Sequence, residues 1–282
     1  MNLYLVYITY IEVVNRIVVL YNTDRKEYTM ADVFFCSVTE NKLLTEAIYS
    51  ITVKSNEIAS ESKPGQFLHI KCGHSRILRR PISICDVNGD SITFIFEVKG
   101  EGTNWLSKRM PGQKLDIMGP LGNGFEIPDD KIIIIGGGVG TPPMLYAAKA
   151  AKQKATAILG FREKSRVILT DEFEAACDEL YITTDDGSVG IHGAVTKPLE
   201  TLLKTGKYKA VMSCGQLLMQ KAVADMCAKY GISSQVSLEE RMGCGVGACL
   251  VCACETKGTD GNSKMSRACL EGPVFNANDV IW

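Results

Sequence analysis

Cys244, Cys249 and Cys252 follow the spacing C-x4-C-x2-C, and Cys269 stands further along the chain. A C-x4-C-x2-C run with a distant fourth cysteine is the plant-type arrangement for a [2Fe–2S] cluster. A tight loop can wrap three thiolates around such a cluster while a returning strand supplies the fourth. Gly245 and Gly247 let the loop backbone approach and point its amides at the sulfurs, which tunes the potential. Zinc is the rival occupant, although it ordinarily uses two C-x2-C-like knuckles and this segment has a single x2 pair. Four unligated, buried thiols are the inert alternative. Cys254 would share a face with Cys252 in an extended segment, but the four-thiolate count is already met and Cys254 is read as a bystander.

A second group of residues could handle phosphate. Gly136-Gly137-Gly138-Val139-Gly140-Thr141 follows an apolar run and precedes a helix-like stretch. Strand, glycines and helix in that order suit a pyrophosphate, because amides at a helix N-terminus attract anions. The segment is not a strict G-x-G-x-x-G, so a tight strand–helix turn stands equally open. Cys214-Gly215 ends another strand candidate, where ligands of α/β sheets gather; a buried small apolar side chain is the plain reading of Cys214. Arg80-Pro81-Ile82-Ser83 offers a planar guanidinium fork and a hydroxyl, and taken alone reads as a surface Arg and a turn Ser. Gly100-Glu101-Gly102-Thr103 is a second loop able to present backbone donors. His69, His74 and His192 lack metal-ligand spacing and are read as structural.

The elements that must position these groups change character along the chain. From Val33 to about Phe125 the apolar period is two, as in Tyr49, Ile51, Val53 and in Ile92, Phe94, Phe96, Val98. Turn signals at Lys63-Pro64-Gly65, Asn88-Gly89-Asp90 and Pro111-Gly112 separate short strands, which points to a small antiparallel barrel. At Lys131 the pattern becomes α/β. Ile132–Ile135 is a continuous apolar run, as in a parallel strand buried on both faces. Further strands at Thr156–Leu159, Tyr181–Thr183 and Ala210–Ser213 alternate with helical stretches. Pro142 and Pro143 suit a first helical turn, where no backbone donor is needed. After about Gln235 comes a Gly- and Cys-rich segment too short for its own core, which a metal centre would let fold.

Bulk properties narrow the class. The 282 residues call for two or three domains, and a net charge of −1 without a basic stripe excludes nucleic acid as a partner class. With 46% apolar residues and long strands, the eleven cysteines do not read as a secreted disulfide scaffold. A reducing cytoplasm and a metal centre fit better. Residues 3–20 are apolar, but Glu12, Asn15 and Arg16 interrupt them and no basic flank or cleavage site is present, so no membrane span is expected. Residues 1–29 read as an N-terminal extension, translated from upstream of a start at Met30.

The order of these motifs resembles the ferredoxin reductase-type flavoproteins. They are Arg80-Pro-Ile-Ser83, Gly100-Glu-Gly-Thr103, 118–125 (M-G-P-L-G-N-G-F), 136–142 (G-G-G-V-G-T-P), 184–188 (T-D-D-G-S), Cys214-Gly215 and the four-cysteine tail. Glu240-Arg241-Met242 before the first cluster cysteine and 271–275 (E-G-P-V-F) after the last narrow it to the electron-transfer subunits of dihydroorotate dehydrogenase B. The resemblance spans roughly Met30–Trp282. It implies an α+β multidomain chain: an extension (1–29), an antiparallel β-barrel FAD domain (30–126), a doubly wound α/β NAD domain (127–235) and a small C-terminal [2Fe–2S] domain (236–282).

The resemblance also implies roles. Arg80 would hold the FAD pyrophosphate and Ser83 would sit near the flavin ring, with Pro81 and Ile82 beside them. Ile95, Phe96, Glu97, Gly102 and Thr103 would line the remainder. NAD(H) would enter over Gly137, Gly138, Gly140 and Thr141, with Cys214 and Gly215 beside the nicotinamide. Cys244, Cys249, Cys252 and Cys269 would ligate the cluster. The family's partner is an FMN-containing catalytic subunit that oxidises dihydroorotate to orotate in pyrimidine biosynthesis, assembled with this subunit as a heterotetramer. Such a (β/α)8 barrel needs about 250 residues and has no counterpart here, so the chain is expected to be the relay. Two rivals stand beside this reading: the flavin subunit of another NAD(P)H–iron–sulfur reductase serving ferredoxin or sulfide metabolism, and a non-catalytic zinc-binding interaction module.

Overall fold

Alternating apolar residues in the first half of the chain close a barrel. The computed structural model describes residues 16–21, 28–73 and 77–282, so His74 and most of the apolar stretch 3–20 lie outside the described residues. Strands β1 (Arg16–Tyr21), β2 (Tyr28–Thr45), β3 (Ile48–Lys54), β4 (Phe67–Ile70), β5 (Arg80–Asn88), β6 (Ser91–Glu97) and β7 (Lys114–Leu121) form one antiparallel sheet. Its order is β1-β2-β3-β6-β5-β4-β7, and β7 pairs back onto β2, closing six strands. β1 meets β2 at Tyr28–Asp32, ahead of the stretch Val33–Ser37 that pairs with β7. The expected extension thus contributes a strand.

Period-two patterning sends Ile51, Val53, Ile92, Phe94 and Phe96 inward, onto Leu68, Ile70, Ile84, Leu115 and Ile117. Each such side chain contributes roughly 1.5–3 kcal/mol on burial. Helix α1 (Asn56–Glu61) starts at Ser55, whose Oγ accepts from Ile58 N at 3.3 Å. The other barrel helix, α2 (Glu101–Ser107), follows β6 and buries Leu106.

Beyond Lys131 the sheet is parallel: β8 (Ile132–Gly137), β9 (Thr156–Phe161), β10 (Glu179–Thr184), β11 (Ile191–His192), β12 (Ala210–Cys214) and β13 (Ser233–Ser237). Helices α3 (Thr141–Ala150), α4 (Thr170–Ala176), α5 (Thr196–Leu203) and α6 (Leu217–Lys229) connect them. The apolar run in β8 serves two cores. Ile132 and Ile134 pack with Met144 and Leu145 of α3, while Ile133 and Ile135 pack with Leu199 of α5 and Val223 of α6. Pro142 and Pro143 occupy the first turn of α3.

The C-terminal segment carries a hairpin, β14 (Ala253–Lys257) and β15 (Ser263–Arg267), and then β16 (Val274–Asn276), which joins the parallel sheet antiparallel to β13. The sheet order is β11-β10-β9-β8-β12-β13-β16. The chain runs to one side of β8 first and then to the other, so the carboxyl ends of β8 and β12 form a topological switch point, where ligands bind in such sheets. Among the described residues no helix is long and apolar enough to cross a membrane.

Candidate functional site

Between the barrel and this switch point lies a cleft of about 440 Å³. Arg80, Pro81, Ile82 and Ser83 at the start of β5, Ile95, Phe96 and Glu97 at the end of β6, and Gly102 and Thr103 in α2 form its barrel wall. Gly140, Cys214 and Gly215 form the facing wall. The antiparallel ladder sets Pro81 opposite His69 and Ser83 opposite Phe67, which brings these residues to one end of the barrel. Arg80 Nη1 donates to Leu78 O at 2.7 Å and to Arg79 O at 3.3 Å, which anchors the guanidinium. Its Nε lies where a side chain on Gly102 would begin: a Cβ there would come within 2.7 Å. The Thr103 hydroxyl is engaged locally, accepting from Lys99 N at 3.0 Å and Gly100 N at 3.2 Å. The guanidinium edge, and not this hydroxyl, is therefore the group left open towards the cleft.

A second cleft, of about 620 Å³, continues over the glycine loop. Gly137, Gly138 and Gly140 line it with Arg162, Asp185 and Arg166. Gly140 must be bare, since a Cβ would fall 2.5 Å from the Cys214 carbonyl carbon and oxygen. That contact holds the ends of β8 and β12 together, in line with the register of Cys214 against Gly136. Thr141 is brought to neither cleft; it is fully buried, and its Oγ1 has no hydrogen-bond partner among the described residues. Burial pushes the Cys214 thiol up to about 12, against a hydrogen bond involving Ser237 that lowers it, so it stays protonated at neutral pH. Glu97 lines both clefts and pairs with Arg166 across them. Burial alone would raise its carboxyl, but the Arg166 hydrogen bond and charge outweigh that and hold it below the usual carboxylate range.

The third element is the cysteine loop. The amides of Val246 and Ala248 donate to Cys244 Sγ at 3.4 and 3.2 Å, Gly247 N donates to Cys269 Sγ at 3.1 Å, and Cys244 N donates to Cys249 Sγ at 3.3 Å. Cys252 and Cys269, on the loop and the returning chain, bring their sulfurs to 3.2 Å. Burial raises the Cys244 thiol, but these amides and the Cys249 thiol outweigh it, so its pKa falls below the ordinary value. The loop is braced from behind by Arg267, which donates from Nη1 to Gly247 O at 3.1 Å and pairs with Glu271. Among the described residues no three His, Cys, Asp or Glu side chains converge on a single ion; a two-iron cluster instead divides its thiolates between two metals. Cys254 turns away from this loop. It packs with Val236, Leu238 and Val280, and its Sγ donates to Ser266 O at 3.5 Å.

Residues 239–281 match the family described as the iron–sulfur cluster binding domain of dihydroorotate dehydrogenase B. The dihydroorotate dehydrogenase B (NAD(+)) electron transfer subunit of Caldanaerobacter subterraneus subsp. tengcongensis is 40% identical over 247 residues, covering 87% of this chain and 97% of that protein. Its counterpart in Clostridium perfringens is 40% identical over 250 residues, covering 86% and 96%. The chain belongs to the family of dihydroorotate dehydrogenase B electron transfer subunits. A solved structure of an NADH-dependent reduced ferredoxin–NADP oxidoreductase, studied for flavin-based electron bifurcation, superposes with a TM-score of 0.79 at 30% identity, covering 88% of this chain and 90% of that one. The ferredoxin reductase of carbazole 1,9a-dioxygenase shares the fold at a TM-score of 0.61 and 20% identity, over 72% and 67%.

For an electron transfer subunit the groups present fit the cofactors its family implies. The cysteine loop offers amides aimed at thiol sulfurs, as a cluster needs, and the first cleft offers an anchored guanidinium edge for a phosphate. Several residues of these clefts were given no site role in the sequence reading, although Met242 and Asp185 stand in motifs quoted there. Phe67, Lys99, Glu239 and Met242 line the first, and Phe161, Arg162, Arg166 and Asp185 the second. For the second group a usable signal existed, because Phe161 ends β9 and Asp185 follows β10, at carboxyl ends of parallel strands.

Proposed function

We propose that this chain passes electrons from an FMN-containing dihydroorotate dehydrogenase catalytic subunit, through a [2Fe–2S] cluster and FAD, to NAD+ in pyrimidine biosynthesis. The observation that carries the reading is the continuity of its three parts. Phe67 and Met242 line the first cleft and also pack in the core that holds Cys252 and Cys269, while Gly140 and Gly215 line both clefts. When bound, FAD exchanges a hydride equivalent with the nicotinamide and single electrons with the cluster, so it joins two-electron to one-electron chemistry.

The chain's own residues bind, orient and insulate. Arg80 holds the pyrophosphate through its free guanidinium edge. Pro81, Ile82, Ser83, Ile95 and Phe96 shape the ring site, and Gly102 and Thr103 close it. Glu97 is fixed by Arg166 at the boundary of the two clefts, where it can receive a hydroxyl or amide of the incoming nucleotide. Gly137, Gly138 and Gly140 let the NAD(H) phosphates approach bare amides, and Thr141 supports the turn from within. Protonated Cys214, with Gly215, presents a small uncharged surface to the nicotinamide. Cys244, Cys249, Cys252 and Cys269 hold the cluster, and the amides of 246–248 stabilise charge on its sulfurs. These roles correspond to a barrel domain over 30–126, a nucleotide domain over 127–235 and a cluster domain over 236–282, in a cytoplasmic protein that assembles with its partner as a heterotetramer.

Anaerobic purification followed by absorption spectroscopy and flavin, iron and sulfide analysis tests the reading. One FAD and one [2Fe–2S] per chain are expected. A colourless protein carrying zinc would overturn it, and failure to co-purify with the catalytic subunit would instead favour another NAD(P)H reductase.

A further inference from the structure

His69 sits in the barrel, yet its ring faces the cysteine loop. It is fully buried in β4, and neither Nδ1 nor Nε2 has a hydrogen-bond partner of ordinary geometry among the described residues. Leaving a ring N–H unpaired in the interior costs on the order of 1–3 kcal/mol, so a buried imidazole with two open nitrogens needs a reason. One neighbour is the loop: a Cβ on Gly245 would lie 2.5 Å from His69 Nδ1, and Gly245 itself has φ +76°. The backbones of Cys244 and of Arg79 both act on the ring and favour a nitrogen-bound proton. Arg79 also fixes the strand from the other side, donating from Nη1 to His69 O at 3.3 Å and to Asp116 O at 3.1 Å.

We propose that His69 is a positioning residue for the iron–sulfur centre: its imidazole, seated against bare Gly245, donates a ring N–H to the Cys244 carbonyl and holds the Cys244–Gly245 turn in its left-handed form. That turn aims the amides of Val246 and Ala248 at Cys244 Sγ, and amide donors to cluster sulfurs stabilise the more negative, reduced state. His69 is two residues from Phe67 and paired with Pro81, both of which line the first cleft. One strand therefore fixes the flavin wall and the cluster loop together. The inference rests on the iron–sulfur reading, and the wild-type protein tests that reading separately.

The experiment uses the full chain, purified anaerobically as wild type, His69→Leu and His69→Asn, with flavin and iron content measured for each. Asn places an N–H close to the position of Nδ1, whereas Leu fills the space without one. Reduced samples are examined by EPR, and the midpoint potential is followed by redox titration. Wild type must first give the signal of a reduced [2Fe–2S] centre; its absence would defeat the underlying reading, not this one. His69→Leu is expected to shift the g-values, lower the midpoint and lose iron to a chelator about tenfold faster or more. His69→Asn is expected to restore all three. If Leu abolishes the cluster, retention of iron by Asn supports the proposal and loss by both overturns it. Wild-type spectra and potential in His69→Leu, or an Asn variant indistinguishable from Leu, overturn it as well.

Discussion

Replacing Arg80 with Ala should weaken FAD binding by an amount the structure lets one work out. A guanidinium carries five N–H donors. Two are spent at Nη1 on the carbonyls of Leu78 and Arg79, at 2.7 and 3.3 Å. The remaining edge, Nε and Nη2, lies over bare Gly102 and has no hydrogen-bond partner among the described residues. That edge can meet a phosphate with a parallel pair of charge-assisted bonds. Hydrogen bonds to charged groups are worth roughly 1.5–3 kcal/mol, and the cleft is open to water, so the pair should contribute about 2 kcal/mol. This corresponds to roughly a 30-fold rise in Kd. Arg80→Lys should fall between, because it keeps the charge without the fork. The assay is titration of FAD into flavin-free protein, followed by flavin fluorescence, with Tm as the control for folding. An Arg80→Ala variant that folds and binds FAD within twofold of wild type would refute the reasoning.

Three further outcomes are expected. Ala in place of Cys244, Cys249, Cys252 or Cys269 should remove the cluster, whereas Cys254→Ala should keep full iron content and lose only about 1 kcal/mol of stability from a small buried void; iron analysis and urea unfolding check both. Gly140→Ala should force the ends of β8 and β12 apart, since the clash is with backbone, and should abolish NADH-dependent dye reduction while FAD stays bound. Phe94→Ala, which empties a fully buried site in the barrel, should cost about 3–5 kcal/mol, seen as a lower unfolding midpoint.

Periodicity made the two sheets legible. The alternation in β6 and the unbroken Ile132–Ile135 run in β8 each reflect how many faces of a strand are buried, which the order of residue types records. Covalent spacing made the cysteine loop legible because Cys244, Cys249 and Cys252 lie within one short turn of chain, whose amides reach their sulfurs locally. Contacts formed between distant segments were not legible. Glu97 and Arg166 belong to different layers and meet only when the barrel docks on the sheet. His69 lacks metal spacing and reads as an ordinary core residue. Its approach to Gly245, 176 positions away (245 − 69), is set by tertiary packing. Thr141 fails in the opposite sense. It stands in the glycine motif, yet its place in the first turn of α3 buries it, because the helix must seat against β8.

The central claim, that this chain is the relay and not the site of substrate oxidation, is tested most directly by NAD-dependent orotate formation. The rate is measured for the chain alone, for the chain assembled with the FMN-containing catalytic subunit, and for the same assembly carrying Cys269→Ala. The account predicts no orotate from the chain alone, steady formation by the complete complex, and loss of NAD-linked turnover in the assembled cluster-free complex. Orotate formation by the single chain, or full NAD-linked activity in an assembled complex that lacks the cluster, would contradict it.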